Sequence, residues 1–456
     1  MSNEKRVFLV GFRTIEFQKL REIGVNVQAF VEVRERSDAP YDTGVETYPH
    51  FETVRCEIDP PAGVAMSAEM KRELYRLAFP MFRRHYSRTA FARSMSMRSW
   101  TNLDNLFFLS AAFYHDVLSR NRIDTVVFSN FPHEGSFIIL YHLAKLLGME
   151  TVITSQSNFT SLLWIVRDIE DFGTFATIPG AGAALPPPAE PEVPFYMKRA
   201  GKFRRMAETS VRVAGETVKM AAKIVTLKVL YDRPSVDRNM NRLVQAVDRW
   251  RLGNPSPRDI AEVDLDLPFV YFPLHLQPEM TTDTWGLDYG DQLLAIEELA
   301  AALPEGMLIY AKENPVQTRF MREDSFYRRL RMIPNLRYVS PEVPSFELIR
   351  RSRCVATISG TAGWEAALMG KGAIHFGVAW YSSLPGVFRW QGAETLQQAL
   401  AHRPDRAAFE TAFDALSRKL YPGVVDPAYE EIVPDFDRQA AARDVAASLA
   451  SVVRGS

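Results

Sequence analysis

Val355-Ala356-Thr357-Ile358-Ser359-Gly360-Thr361-Ala362-Gly363-Trp364-Glu365 is the stretch on which the reading of this chain turns. Four apolar or β-branched residues give a short buried strand, and Ser-Gly-Thr-Ala-Gly is a turn of small residues. Apolar residues at helical spacing then run from Ala362 to Met369. A strand that ends in a small-residue turn and feeds a helix is the repeating unit of a doubly wound α/β sheet. Working outward, strands are expected at Phe269 to Phe272, Met307 to Ala311, Leu336 to Val339 and Ala373 to Phe376. Helical patterns lie between them at Gln292 to Ala302 and Phe346 to Arg351. The same alternation fills the first 170 or so residues: strands at Arg6 to Val10, Val25 to Val33, Ile123 to Ser129 and Glu150 to Thr154, with helices at Ile15 to Ile23 and Glu134 to Leu147.

The chain therefore reads as α/β, with two Rossmann-like domains facing a cleft and a helical insertion between them. The boundaries are 1–178 for the N-terminal acceptor domain, 179–260 for a Pro-rich linker and basic helical segment, and 261–456 for the C-terminal domain with its final helices. The junction is marked by Pro179 to Pro194, whose Gly-Ala-Gly and Pro-Pro-Pro runs suit neither helix nor central strand. At 456 residues, 47% hydrophobic and 24% charged, the chain is an ordinary globular one of about two domains. Its 54 Lys and Arg against 55 Asp and Glu leave a net charge of -1, which provides no general attraction for nucleic acid. Cys56 and Cys354 form no metal or disulfide pattern, and no apolar run approaches the roughly 20 residues of a spanning helix, so a cytoplasmic protein is expected. Locally the balance changes. Between Tyr196 and Arg233 ten basic residues face three acids among apolar residues at helical spacing, a pattern suited to the anionic inner face of the cytoplasmic membrane or to an ordinary solvated helix pair.

Ligands of open α/β sheets sit at the carboxyl ends of strands, so polar residues there carry the functional reading. After Phe272 come His275, Gln277, Glu279 and Asp283, a histidine, an amide and two carboxylates placed where a base or an electrostatic stabiliser would stand. After Ala311 come Lys312, Glu313, Asn314 and Pro315, with the lysine a cation for phosphate. Ser359, Gly360, Thr361, Ala362 and Gly363 offer hydroxyls, close backbone approach and a helix N-terminus to a phosphate, and Glu365 a carboxylate to a ribose hydroxyl. Trp380 and Tyr381 follow the last parallel strand, where aromatic rings can pack on the base or sugar of a donor or form a core pair, and Tyr381 is taken as a donor-binding candidate. In the N-terminal half, Ser129 to Gly135 and Gln156 to Asn158 end strands, and His133, Glu134, Gln156 and Asn158 are the candidates for an acceptor. The turn matches neither the Walker A pattern nor the dinucleotide fingerprint, which disfavours ATP and NAD. Asp264-Leu265-Asp266 precedes its strand, so no metal is assigned to it.

Taken in order, the Pro273-Leu274 to Glu279 loop, the Lys312 to Pro315 turn, Ser359 to Ala366, Gly370-Lys371 and Phe376-Gly377 to Tyr381 resemble the bacterial capsule polysaccharide biosynthesis family. That family includes GT-B enzymes that transfer Kdo from CMP-Kdo. The resemblance runs mainly from 268 to 390, with Asn314 standing where the family usually carries histidine. It implies a metal-independent glycosyltransferase with no cofactor beyond a CMP-, UDP- or GDP-sugar donor. It further implies that Lys312, Asn314, Ser359, Gly360 and Thr361 hold the donor phosphate, that Glu365 holds the ribose, and that Glu279 or Asp283 acts at the anomeric carbon. The acceptor would be a growing surface polysaccharide or glycolipid. A sugar-nucleotide 2-epimerase and a non-catalytic capsule assembly protein use the same frame and stay open.

Overall fold

The computed structural model describes residues 4–34, 42–63, 66–88, 100–182, 184–192, 261, 263–315, 317, 322 and 324–455. The basic segment 196–233 lies outside them. The described residues form two units, each built on its own sheet.

The first unit places β1 (Val7–Phe12), β2 (Val27–Glu32), β3 (Glu46–Pro49), β4 (Thr125–Phe128), β5 (Glu150–Gln156) and β6 (Leu162–Val166) in one sheet with a late strand, β13 (Tyr421–Pro422). Its order is β13-β6-β5-β4-β1-β2-β3. The five strands β1 to β5 are parallel, and β6 and β13 add antiparallel partners at one edge. Because β1 and β4 are neighbours whose connections leave in opposite directions, their carboxyl ends form a topological switch point.

The second unit holds β7 (Phe269–Pro273), β8 (Leu308–Lys312), β9 (Leu336–Val339), β10 (Cys354–Thr357), β11 (Gly372–His375) and β12 (Val387–Arg389). Its order, β12-β11-β10-β7-β8-β9, is parallel throughout and is the 3-2-1-4-5-6 arrangement of a dinucleotide-binding fold. Here the switch point falls between β7 and β10. Val270, Phe272, Ile309, Ala356 and Ile374 are all fully buried, as expected of strands covered by helices on both faces. The two Rossmann-like domains expected from the alternating pattern are thus present, with most strands within one or two residues of their expected limits.

One boundary needs correction. The second domain does not run to the C-terminus, because residues 414–455 return to the first unit. β13 pairs with β6, and the helix Arg438–Arg454 lies against the helix Thr14–Glu22. Every third or fourth residue of that last helix is apolar, and Val445, Leu449 and Val453 share one core with Phe17 and Leu20. At about 1.5 to 3 kcal/mol per buried large side chain, this return is part of what folds the first unit. None of the described residues from 179 to 192 is buried, in keeping with a surface linker.

Candidate functional site

At the β7/β10 switch point, His275 stands immediately beyond β7 and is 7% exposed. Its Nε2 lies 3.3 Å from the Ser359 backbone nitrogen and 3.3 Å from Thr357 Oγ1. A backbone N–H only donates, so Nε2 carries the lone pair, and burial pushes the ring down to about 4. His275 is therefore a neutral strut that fixes the turn opening the helix Thr361–Leu368. This corrects its expected role as a catalytic acid or base. It also explains Gly360: a Cβ there would stand 2.8 Å from Nε2.

Other expected ligand residues turn inward for the same structural purpose. Ser359 is buried and its hydroxyl donates to the Thr281 carbonyl at 2.7 Å. Tyr381, fully buried, donates to the Gly360 carbonyl at 2.5 Å, and a Cβ on Gly363 would meet its hydroxyl at 2.3 Å. Gln277 spends its amide on the Gly290 carbonyl and on Gln292, while Gln317 bonds its backbone at both N–H and carbonyl. Asp283 is 1% exposed, which removes it from reach of a substrate in this conformation. Through these bonds the side chains of Gln277, Ser359 and Tyr381 build the turn.

Thr361 and Ala362 remain half-exposed at the first turn of the helix, whose N-cap, Gly360, makes no side-chain capping bond. Free first-turn N–H groups and the positive end of the helix dipole are what an anion requires. Glu279 is half-buried and caps the short helix Met280–Asp283, taking the Thr281 hydroxyl at 2.6 Å. Lys312 ends β8 with its ammonium on the Val343 carbonyl (2.6 Å) and Ser345 Oγ (3.0 Å), and burial lowers it to about 8. Asn314 is half-buried, and its backbone N–H donates to Glu313 Oε1.

Sequence reasoning passed over the most firmly held residue of this turn. Glu313 is paired with Arg322 at 2.5 Å, their side chains 4% and 2% exposed, and also accepts the Tyr327 and Tyr338 hydroxyls. Arg322 in turn donates to the His275 carbonyl at 2.6 Å, coupling the Lys312 turn to the His275 loop.

Glu365, one turn into the helix, is 8% exposed, and burial raises its carboxyl to about 7 against a modest opposing bond from Thr361. Since the folded pKa exceeds the ordinary value of 4.5, the folded chain holds the extra proton between these limits. The stability this contributes is complete below about pH 4.5 and is lost as pH rises through 7. Glu365→Gln is therefore expected to match the wild type near pH 4 and to exceed it at pH 8 by up to about 3 kcal/mol, read from urea denaturation at the two pH values. Equal stability differences at both pH values would contradict the assignment.

The first unit carries a cavity of about 250 Å³ at the β1/β4 switch point. His133 lines it, its Nδ1 2.6 Å from the Phe131 carbonyl; the carbonyl can only accept, so the proton is on Nδ1 and Nε2 is the basic nitrogen of the neutral ring. Glu134 lies 3.1 Å from Nε2 of His50, which opens the helix His50–Val54. Gln156 also lines the cavity, but its amide bonds the Val425 N–H and the Leu162 carbonyl, holding the C-terminal return in place. Asn158 is exposed and is not among the lining residues, a correction to its expected place. His50, Arg13 and Asp426 were missed, because each reaches the cavity from an element distant in sequence. Among the described residues no cluster of three His, Cys, Asp or Glu could hold a metal, and no helix is long and apolar enough to cross a membrane.

The segment matching the model of the capsule polysaccharide biosynthesis proteins spans residues 286–421. This capsule-family segment contains Lys312, Asn314, the Ser359 to Glu365 turn and Tyr381, and leaves His275, Gln277, Glu279 and Asp283 before its start. Protein FixF of Sinorhizobium fredii (strain NBRC 101917 / NGR234) is 32% identical over 151 residues, covering 32% of this chain and 36% of FixF. The chain thus spans about a third of that curated relative. Among solved structures, KpsC of Thermosulfurimonas dismutans, a β-Kdo 2,4 transferase, aligns at 15% identity over 66% of this chain and 82% of its own, with a TM-score of 0.33. The UDP-GlcNAc 2-epimerase of Methanocaldococcus jannaschii aligns at 10% identity over 90% and 97%, with a TM-score of 0.26.

Proposed function

We propose that this chain is a glycosyltransferase, moving a sugar from a nucleotide-sugar donor to a surface polysaccharide or glycolipid acceptor. The observation that carries the reading is the uncapped helix N-terminus at Gly360 to Ala362, set at the β7/β10 switch point inside the capsule-family segment. In this account the donor phosphate takes the first-turn N–H groups and the Thr361 hydroxyl, and Lys312 adds its field. Glu365 receives a ribose hydroxyl. Glu279 stabilises positive charge at the anomeric carbon, and no metal takes part.

In the transfer step the acceptor hydroxyl oxygen bonds the anomeric carbon, and the bond from that carbon to the phosphate oxygen breaks with its electron pair leaving on the nucleotide. The hydroxyl proton is released to water. The acceptor is held by the first unit, and a lipid-linked one would bring the basic 196–233 segment to an anionic leaflet; salt-sensitive sedimentation with anionic vesicles reads that contact, and its absence at low salt would contradict it.

Isothermal titration with CMP, UDP and GDP tests the donor site. One of the three is expected to bind, and Thr361→Val to weaken it roughly tenfold, the cost of about 1.5 kcal/mol for a lost hydrogen bond to a charged group. Failure of all three to bind would instead favour an assembly protein without a donor.

A further inference from the structure

The cavity of the first unit has a charge pattern that narrows its ligand. Among the described residues three carboxylates line it, Glu16, Glu134 and Asp426, against one cation, Arg13. That guanidinium already meets Glu430 at 2.5 Å, and Glu430 is held from its other side by Arg438 at 2.8 Å. Glu16 accepts the Arg13 backbone N–H, and its burial raises the carboxyl above its ordinary range. The two lining histidines have their own commitments, His133 through Nδ1 and His50 to Glu134. A sugar acid or phosphate entering here would meet carboxylates and a cation that is already paired, and like-charge contact in a partly enclosed site is costly. Sugar hydroxyls, in contrast, are donors that carboxylates accept well, and buried Phe131 and Phe137 give the C–H face of a pyranose an apolar wall. Its place at the β1/β4 switch point is where this sheet type holds ligands.

We infer that this cavity receives the uncharged, hydroxyl-bearing end of the glycan acceptor and discriminates against acidic sugars. The inference rests on the glycosyltransferase reading above and adds the chemical class of the acceptor terminus. The matched probes are methyl β-D-glucopyranoside and methyl β-D-glucuronide, which differ only in the carboxylate at C6. Saturation-transfer NMR on the full chain is expected to show the glucoside bound and the glucuronide about tenfold weaker. Glu134→Gln is expected to narrow that difference by raising glucuronide binding. Equal or preferential binding of the glucuronide, no binding of either, or a preference untouched by Glu134→Gln would overturn the inference. Nucleotide titration on the same samples separates the two levels: nucleotide binding with an acidic preference removes only the neutral-acceptor inference, whereas loss of all nucleotide binding removes the transferase reading itself.

Discussion

His133→Asn is expected to raise the KM for the glycan acceptor about tenfold, the cost of one lost hydrogen bond, with the KM for donor nearly unchanged. Asparagine keeps an N–H near the δ position for the Phe131 carbonyl and deletes the ε nitrogen, so the loop geometry survives while the cavity loses that nitrogen. A structural role would show as lower stability with the acceptor KM unchanged. A higher acceptor KM at an unchanged melting temperature is the signature of the proposed role. A variant with the wild-type acceptor KM would end it.

The second large effect concerns stability. Glu313→Ala is expected to destabilise the second unit by about 3 to 5 kcal/mol, because it leaves the Arg322 guanidinium buried without its carboxylate. The Tyr327 and Tyr338 hydroxyls lose an acceptor in the same change. Since Arg322 also holds the His275 carbonyl, nucleotide affinity should fall together with stability. Replacing both partners with apolar residues, Glu313→Leu with Arg322→Met, should recover much of the stability, as no unpaired charge remains. Urea denaturation of the wild type and the two variants measures this. A loss below about 1 kcal/mol for Glu313→Ala would show the pair to be accessible to water.

Sheet organisation was legible because the central strands are covered on both faces and read as unbroken apolar runs, as at Phe269 to Phe272 and Cys354 to Ile358. Of the strands that escaped notice, Glu46–Pro49 is half-exposed, Val387–Arg389 has three residues and Tyr421–Pro422 two, whereas Leu162–Val166 is apolar and largely buried but pairs antiparallel with β5, outside the strand–helix alternation. No local pattern announces that Arg438–Arg454 returns to the first unit, since an amphipathic helix shows that it has a buried face and not which partner covers it. At the candidate site, the strand-end rule leads to the loops that meet at the β7/β10 switch point. It could not distinguish a polar side chain that faces a ligand from one that holds its own loop. His275, Gln277, Ser359 and Tyr381 have the composition of a binding site and the bonding of a scaffold. Conversely, Arg13, His50 and Asp426 carry no motif, and only the folded sheet brings them to one cavity.

The most direct test of the account is to incubate the full chain with the nucleotide sugar it binds, with and without a neutral glycan acceptor, and to follow both the released nucleotide and the sugar. The account predicts nucleotide release that depends on acceptor, with the sugar recovered on the glycan, slowed at low acceptor by His133→Asn and at low donor by Thr361→Val. Acceptor-independent conversion of the sugar to its 2-epimer, or nucleotide binding with no transfer to any glycan, would contradict it.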